Sequence, residues 1–570
     1  MIATAARGAC ENRSPTAVVH EEHAVKNSMM FPLVCLLAAG MLIQGCRRAS
    51  DSAVESVRIE TDSGVLAGKV LDSGVRAWLG IPFARPPVRD LRWKEPQPIE
   101  WKGVYNADRK MAQCPQVLRP HNINHYFGEE PTSEDCLYMN VWAPPGSNAD
   151  SRLPVIVFIY GGGGTIGSSG MANYDGEQVA KRGAIFVNFN YRLGILGFMA
   201  HPELTKEQGG HSGNYGYLDQ NFALKWINRN IAKFGGDPAK VIISGQSAGA
   251  GSVAQQIFSP LSKGLFRGAV MLSSCNYTGS NTPLAEAEAT GLEVQKALGA
   301  ETLDDMRQVP ADRIVALQSE RQVGVSVPGI RTGGVIDGYF MPGTKAEILE
   351  AGRASDVPII ASYTHDEANI ALKQAKNVAE YEEIARKTFG PAADEFLKLY
   401  PVSSDADIPR VAQEAANDAS GLLNSCTCAS LQDKYHKSPT YITVYSRRHP
   451  YVPGVKIADQ DTATIGAYHT SEVPYYFGTQ DAYNMFRPTR NWTEWDRELS
   501  AKMTAALIAF ANTGDPSTPE VDWPAWTVED ERYINFGDKI TLEHVNRARL
   551  DFMAVHRPAQ QRPGTRGPRD

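Results

Sequence analysis

The sequence predicts an α/β fold with a mostly parallel central sheet and helices on both faces. Two short apolar runs, residues 153–160 and 241–243, are rich in β-branched residues, as is typical of buried parallel strands. Residues 218–234 space their apolar side chains at helical intervals, which predicts a helix that faces the core. Each strand runs directly into a glycine-containing motif with a chemical meaning.

The more informative motif follows the second strand and has the sequence Gly-Gln-Ser-Ala-Gly at residues 245–249. A Gly-x-Ser-x-Gly pattern after a strand is typical of a nucleophile elbow, a sharp strand-to-helix turn that exposes one serine. Small residues flank that serine because its backbone is strained and the helix passes close to the strand. The motif alone also occurs in ordinary turns, but the preceding strand favours Ser247 as a catalytic nucleophile.

The first strand ends in four consecutive glycines, residues 161–164. Without Cβ atoms, the N–H groups of such a loop can approach a ligand closely. Loops of this kind supply oxyanion donors in α/β-hydrolases. We therefore expect the backbone N–H groups of Gly162, Gly163 and Ala248 to form an oxyanion hole; the alternative for the loop alone is a flexible turn.

Further motifs along the chain fit the same chemistry. They are Gly-Ile-Pro-Phe-Ala at residues 80–84, Ser-Glu-Asp-Cys-Leu at 133–137, Asn-Tyr-Arg-Leu-Gly at 190–194 and the segment at 234–249. With these blocks the chain resembles the type-B carboxylesterases, the family that includes the cholinesterases, from about residue 64 to about residue 552. The resemblance implies an α/β-hydrolase fold with helical cap insertions, a small-molecule carboxylic ester as substrate, and neither cofactor nor metal.

The family's catalytic acid is a glutamate that follows a strand. Residues 357–363 are strand-like, and Thr-His-Asp-Glu follows at 364–367. The resemblance therefore implies that Glu367 is the acid. The neighbouring Asp366 is the alternative for the same orienting role, and a solvated charged loop is the alternative for the tetrapeptide by itself.

The family's catalytic base corresponds to His469, in the segment 466–478. Of the 12 histidines, His365 and His449 are the alternatives. The implied mechanism is that of a serine hydrolase, in which His469 takes the proton of Ser247 as the serine attacks the ester carbonyl. Glu367 holds the imidazole tautomer, and water releases the acid from an acyl-enzyme.

Two departures from the family pattern concern the pocket. Gln246 stands where a glutamate usually precedes the nucleophile, and Gly164 stands where an aromatic residue commonly follows the oxyanion glycines. The missing negative charge predicts a weaker preference for cationic substrates than in cholinesterases. Helix-like segments at 284–327 and 378–418 are expected to cap the site. The candidate pocket residues are Gly164, Gln246, Cys275, Asn276, Tyr277 and Tyr468.

The chain has 8 cysteines. Cys114 and Cys136 match a disulfide of the family, and oxidised cysteines imply a location outside the cytoplasm. For Cys275 the sequence leaves three possibilities open: a bond to Cys426, a bond to Cys428, or free thiols.

The N-terminus resembles an export signal. Residues 29–43 form an apolar run of signal-peptide length, and Gln-Gly-Cys follows at residues 44–46. We expect residues 1–45 to be an extension and signal, with Cys46 lipidated as a possible membrane anchor; plain signal cleavage is the alternative. Starting translation at Val25 would give a more compact signal. The expected location is periplasmic, membrane-anchored or secreted, and residues 556–570 are expected to form a disordered tail after a single catalytic domain at 46–555.

The net charge and the absence of certain motifs argue against several classes of function. The net charge is −7 and no basic stripe is present, so nucleic acid is not an expected partner. The sequence also lacks a phosphate-binding GxxxxGK[ST] loop and an HExxH metal motif. An amidase, carbamate hydrolase or transacylase with the same triad remains open, as does a non-catalytic binding protein. The oligomeric state is not predicted.

Overall fold

A computed structural model of the chain describes residues 56–119, 122–124, 129–322 and 325–558. The predicted leader and Cys46 lie outside the described residues, as does the tail beyond residue 558. The last described helix, Arg547–His556, includes the first residue of the predicted tail.

The strands alternate with helices through the middle of the described chain. The strands are β1 (Ser56–Thr61), β2 (Gly64–Val70), β3 (Arg76–Pro82), β4 (Val104–Asn106), β5 (Tyr138–Ala143), β6 (Leu153–Ile159), β7 (Ile185–Phe189), β8 (Gly236–Gln246), β9 (Gly268–Leu272), β10 (Thr282–Pro283), β11 (Glu320–Gln322), β12 (Val325–Val327), β13 (Val335–Ile336), β14 (Ile359–Thr364), β15 (Thr440–Tyr445), β16 (Arg532–Phe536) and β17 (Ile540–His544).

The helices are α1 (Glu177–Lys181), α2 (Gly194–Phe198), α3 (Pro202–Glu207), α4 (Tyr215–Asn230), α5 (Ala248–Phe258), α6 (Leu284–Leu298), α7 (Leu303–Gln308), α8 (Ala311–Val315), α9 (Lys345–Glu350), α10 (Val378–Phe389), α11 (Ala393–Leu399), α12 (Ile408–Asp418), α13 (Gly421–Tyr435), α14 (Val473–Phe477), α15 (Glu494–Thr513) and α16 (Arg547–His556). The predicted helix at 218–234 corresponds to α4 and a 3₁₀ turn at Ile231–Phe234.

One 13-stranded sheet organises the chain, in the order β1-β2-β3-β5-β7-β6-β8-β9-β14-β15-β16-β17, with β4 beside β2. The middle, from β7 to β16, is parallel, and the antiparallel pairs lie towards the two edges. This arrangement confirms the predicted α/β-hydrolase fold. The parallel middle is buried because helices cover both of its faces.

The register of β6 and β8 brings the two predicted motifs together. β6 lies parallel to β8, with Ile159 paired to Gly245. Both strands therefore end at the same level of the sheet. The glycine loop after β6 and Ser247 after β8 consequently leave the sheet side by side, at the carboxyl edge where open α/β sheets bind ligands.

A buried ion pair anchors the connection between the sheet and α4. Arg192 Nη2 lies 2.7 Å from Asp219 Oδ1, and Arg192 Nε donates to Asp219 Oδ2 at 2.8 Å. Both side chains are almost fully buried. The two charges neutralise each other through a bidentate hydrogen bond. We therefore assign the pair a structural role rather than a role in substrate binding.

Two disulfides are present in the described residues. One joins Cys114 to Cys136, and the other joins Cys275 to Cys428. Cys426 is a buried free thiol. The bond of Cys275 ties the segment after β9 to α13. Among the described helices, none is long and apolar enough to cross a membrane.

Candidate active site

Ser247 sits in the turn between β8 and α5 with a positive φ of 57°. Its amide donates to Leu272 O at 2.8 Å, which fixes the turn to β9. A Cβ at position 249 would lie 2.0 Å from Ile159 O, so only glycine fits there. A strained non-glycine residue held by such packing is typical of a functional position.

The glycine loop after β6 follows a left-handed path, with φ of 102° at Gly162, 67° at Gly163 and 74° at Gly164. Within the described residues, the N–H groups of Gly162, Gly163 and Ala248 donate to no other protein group. Gly163 lines the same cavities as Ser247. Gly162 lines the larger cavity beside Ser247, and Ala248 lines the smaller one, so these donors can meet a ligand oxygen at the serine.

His469 and Glu367 are in direct contact, since His469 Nδ1 is hydrogen-bonded to the carboxylate of Glu367. The other oxygen of Glu367, Oε1, accepts from the Thr364 amide at 3.1 Å. The acid is therefore fixed to the end of β14. It holds Nδ1 as the protonated nitrogen and leaves Nε2 on the side of Gln246 and the cavity.

Asp366, the alternative acid, contacts the loop that carries His469 at Ala467, not at the imidazole. Its Oδ2 accepts from the Ala467 amide at 2.6 Å, and its Oδ1 lies 2.9 Å from His365 Nδ1. Burial alone would raise the pKa of Asp366, but the hydrogen bonds from His365 and Ala467 bring it below its usual range. Asp366 thus pins the loop that carries His469, and His365 is its partner rather than a base.

His449, the other alternative base, is hydrogen-bonded to the loop that carries His469. It is buried, its Nε2 lies 2.8 Å from Ser471 O, and its Nδ1 lies 3.1 Å from Tyr468 Oη. With both ring nitrogens bonded to the loop, His449 serves to support it.

Gln246 contacts the base directly. Its Nε2 lies 3.3 Å from Nε2 of His469. With Nδ1–H donated to Glu367, the neutral imidazole has a lone pair on Nε2, and the amide of Gln246 donates to it. The Gln246 side chain is almost fully buried, whereas the imidazole of His469 is partly exposed, and both residues line the same cavity.

A second carboxyl group lies near the base. Glu472 is fully buried, and neither of its carboxyl oxygens has a hydrogen-bond partner among the described residues. Burial and the nearby charge of Glu367 raise the pKa of Glu472 to about 8. The group is therefore mainly protonated at neutral pH.

Two cavities flank Ser247. The larger, of about 660 Å³, is lined by Arg119, Gly162, Gly163, Thr165, Ile166, Met171, Tyr174, Gly194, Gln246, Ser247, Gln318, Ser319, Ile330, Arg331, Thr332, Asp459, Gln460, His469 and Thr470. The smaller, of about 290 Å³, is lined by Gly163, Gly164, Tyr191, Phe198, Tyr217, Ser247, Ala248, Gly251, Ser252, Gln255, Ser273, Ser274, Asn276, Thr332 and Gly333.

Three of the six predicted pocket residues line these cavities, namely Gly164, Gln246 and Asn276. The other three do not, and the prediction for them is corrected. Cys275 is bonded to Cys428. The Tyr277 hydroxyl bonds Gln432 at 3.3 Å, and its ring packs on Phe258. Tyr468 is buried against His449. Each of these side chains is turned away from the cavity by a partner distant in sequence.

The predicted cap segments differ in their relation to the site. The loop after α8 lines the larger cavity through Gln318 and Ser319, and residues 330–333 line one or both cavities. The segment at 378–418 lines neither cavity; α10–α12 pack their apolar residues into a separate cluster with α16. No sequence motif marks Arg331 or Thr332, so sequence reasoning missed them.

Comparisons with known proteins show the family to which the chain belongs. A model described as the carboxylesterase family matches residues 55–553. The chain is 34% identical over 498 residues to the fumonisin B1 esterase of Sphingopyxis macrogoltabida, covering 84% of this chain and 86% of the relative. It is 31% identical over 495 residues to the para-nitrobenzyl esterase of Bacillus subtilis strain 168, covering 85% and 96%. A solved PNB esterase structure aligns with a TM-score of 0.69 at 30% identity, covering 87% of this chain and 99% of that one.

Proposed function

The chain belongs to the carboxylesterase family and is a carboxylic ester hydrolase, and we propose that Ser247, His469 and Glu367 carry out the reaction through an acyl-enzyme. One observation carries this proposal. Ser247 and His469 line the same cavity, while Glu367 holds the far nitrogen of the imidazole. A weak nucleophile, a base and a group that orients the base are the parts that acyl transfer requires.

In the proposed reaction, Ser247 Oγ attacks the ester carbonyl as His469 Nε2 takes its proton. The carbonyl oxygen becomes an oxyanion and accepts hydrogen bonds from the N–H groups of Gly162, Gly163 and Ala248. His469 then gives the proton to the leaving alcohol. Water, deprotonated by the same nitrogen, attacks the acyl-enzyme and releases the acid and the free serine.

Gln246 also takes part in the proposed reaction. Its amide stabilises the lone pair on Nε2 in the resting imidazole. When Nε2 becomes protonated, the amide nitrogen can no longer donate to it. The imidazolium N–H is then directed to the serine or to the leaving oxygen, the two groups that exchange the proton.

The test is hydrolysis of para-nitrophenyl esters from acetate to dodecanoate by the wild type and by Ser247→Ala. We expect turnover that the substitution reduces to the residual level of a site without its nucleophile, a loss of several orders of magnitude. A fluorophosphonate probe should label the wild type and not Ser247→Ala. Ser403→Ala removes an exposed serine far along the chain, and it should keep both labelling and turnover.

Two results would contradict the proposal. A folded wild-type protein that neither hydrolyses any ester nor reacts with the probe would favour a binding protein. Labelling without turnover of any ester would favour an amide, carbamate or transfer reaction, because the acyl-enzyme is common to these.

We also propose that the mature protein works outside the cytoplasm, anchored through a lipidated Cys46. The two disulfides support this location, since such bonds persist in oxidising compartments. Metabolic labelling with palmitate, followed by mass analysis of the N-terminal peptide, tests the anchor. Cys46→Ser should abolish labelling; an unlabelled wild type cleaved elsewhere would indicate ordinary secretion.

A further inference from the structure

We propose that the alcohol portion of the substrate carries an anionic group, such as a carboxylate, and that Arg331 binds it. Arg119 lines the same cavity. The inference rests on the proposed function, because it assigns the substrate class of the same site.

The first step identifies which cavity receives the alcohol. In the proposed reaction His469 donates its proton to the leaving oxygen, so the alcohol must lie on the side of His469. His469 lines the larger cavity and is not part of the lining of the smaller one. The alcohol portion therefore occupies the larger cavity, and the acyl portion occupies the smaller.

The second step compares the charges of the two cavities. The described lining of the smaller cavity contains no Asp, Glu, Lys or Arg. The described lining of the larger cavity contains two arginines, Arg119 and Arg331, and one acidic residue, Asp459. The charge of Asp459 is already met in part, since its Oδ1 accepts from the Asn124 amide at 2.8 Å.

The residue before the nucleophile adds no negative charge to the larger cavity. Gln246 lines the larger cavity and is neutral. A glutamate at this position would add a negative charge close to the reacting atoms. The alcohol side of the site thus places the guanidinium group of Arg331 in a cavity where the residue before the nucleophile is neutral, which favours an anion over a cation.

The third step concerns the position of Arg331. Its Nε lies 3.4 Å from Ser319 Oγ, and both residues line the larger cavity. Its neighbour Thr332 lines both cavities, so Arg331 stands close to where they meet. Arg331 is exposed, so an incoming anion reaches it from solvent. A guanidinium group binds a carboxylate by two parallel hydrogen bonds, which orients the alcohol as well as attracting it.

The test uses two acetate esters that differ only in charge, the para-acetoxybenzoate anion and para-acetoxybenzamide. Each kcat/KM is divided by the rate of hydroxide-catalysed hydrolysis of the same ester, which removes the difference in leaving-group reactivity. We expect the wild type to favour the anion, and Arg331→Gln to lower the anion-to-amide ratio about three- to tenfold, as befits a solvent-accessible ion pair. Added salt should lower the wild-type ratio and have less effect on the variant.

Two variants serve as comparisons. Arg353→Gln removes an exposed arginine that lines neither cavity, and its ratio should equal that of the wild type. Asp459→Asn removes the acidic residue of the larger cavity, and its ratio should rise. Urea unfolding of Arg331→Gln should match the wild type, because the side chain is exposed.

The inference is overturned if the ratio is the same in Arg331→Gln as in the wild type, or if the wild type favours the amide. In that outcome both esters are still hydrolysed in a Ser247-dependent manner, and the proposed function stands. If neither ester is hydrolysed, the proposed function is contradicted, and the inference, which rests on it, is contradicted as well.

Discussion

The side-chain amide of Gln246 lies against the imidazole of His469, with 3.3 Å between the two Nε2 atoms. Glu367 holds the opposite edge of the same ring. The base is therefore fixed between a carboxylate and a neutral amide. The carboxylate of Glu367 carries a negative charge and the amide of Gln246 carries none, and this difference determines which nitrogen of His469 is protonated.

Gln246→Glu should move the acid limb of the kcat/KM–pH profile to higher pH. A carboxylate beside the ring stabilises the imidazolium form, so the free base appears only at higher pH. The measurement is kcat/KM for a neutral ester from about pH 5 to about pH 9. Gln246→Met, which keeps the length and removes the amide donor without adding a charge, should move the limb less than Gln246→Glu does. An unmoved limb in Gln246→Glu would mean that the two side chains do not interact.

Glu367→Gln should lower kcat by roughly 10² to 10⁴ without unfolding the protein, because an amide no longer favours the tautomer with its proton on Nδ1. The matched control is Asp366→Asn, the same change one residue earlier. Asp366 bonds the Ala467 amide rather than the imidazole, so its substitution should cost less activity. Equal losses in kcat for the two variants would show that Asp366 orients the base.

Glu472→Gln should raise the free energy of unfolding, and the gain should grow with pH. Burial raises the pKa of Glu472 to about 8 in the folded protein, whereas an unfolded glutamate titrates near about 4.3. Between these values the unfolded chain loses a proton that the folded protein keeps, so the wild type becomes less stable as pH rises. The glutamine variant lacks this dependence. Urea unfolding at pH 5 and at pH 8 measures the difference; a gain that is the same at both pH values would contradict the assignment.

The double variant Cys275→Ser, Cys428→Ser should lower the free energy of unfolding by about 2–5 kcal/mol. The bond closes a long loop, since its cysteines have a sequence separation of 153, and so restricts the unfolded chain. Cys426→Ala is the control, since Cys426 is a buried thiol without a disulfide partner. If the control costs as much as the double variant, packing around α13 rather than the bond accounts for the loss.

Local motifs were enough to predict the strand-turn-helix at Ser247 and the glycine loop after β6. Each depends on neighbours within a few residues: a β-branched run, then glycines where the backbone is left-handed or closely approached. The family resemblance added Glu367 and His469, which the structure brings into contact across 102 residues of chain.

The sequence by itself determined the fold, the nucleophile elbow and the composition of the oxyanion loop, because these follow from the residue pattern along the chain. The tertiary structure decided which of Asp366 and Glu367 meets the imidazole, which cysteine pairs with Cys275, and that Arg331 faces the site. Consecutive side chains leave the end of a strand in different directions, so only the packing of the histidine loop against β14 selects between neighbours. Pairings across such distances depend on how the sheet and its insertions fold onto one another, and no local pattern records that.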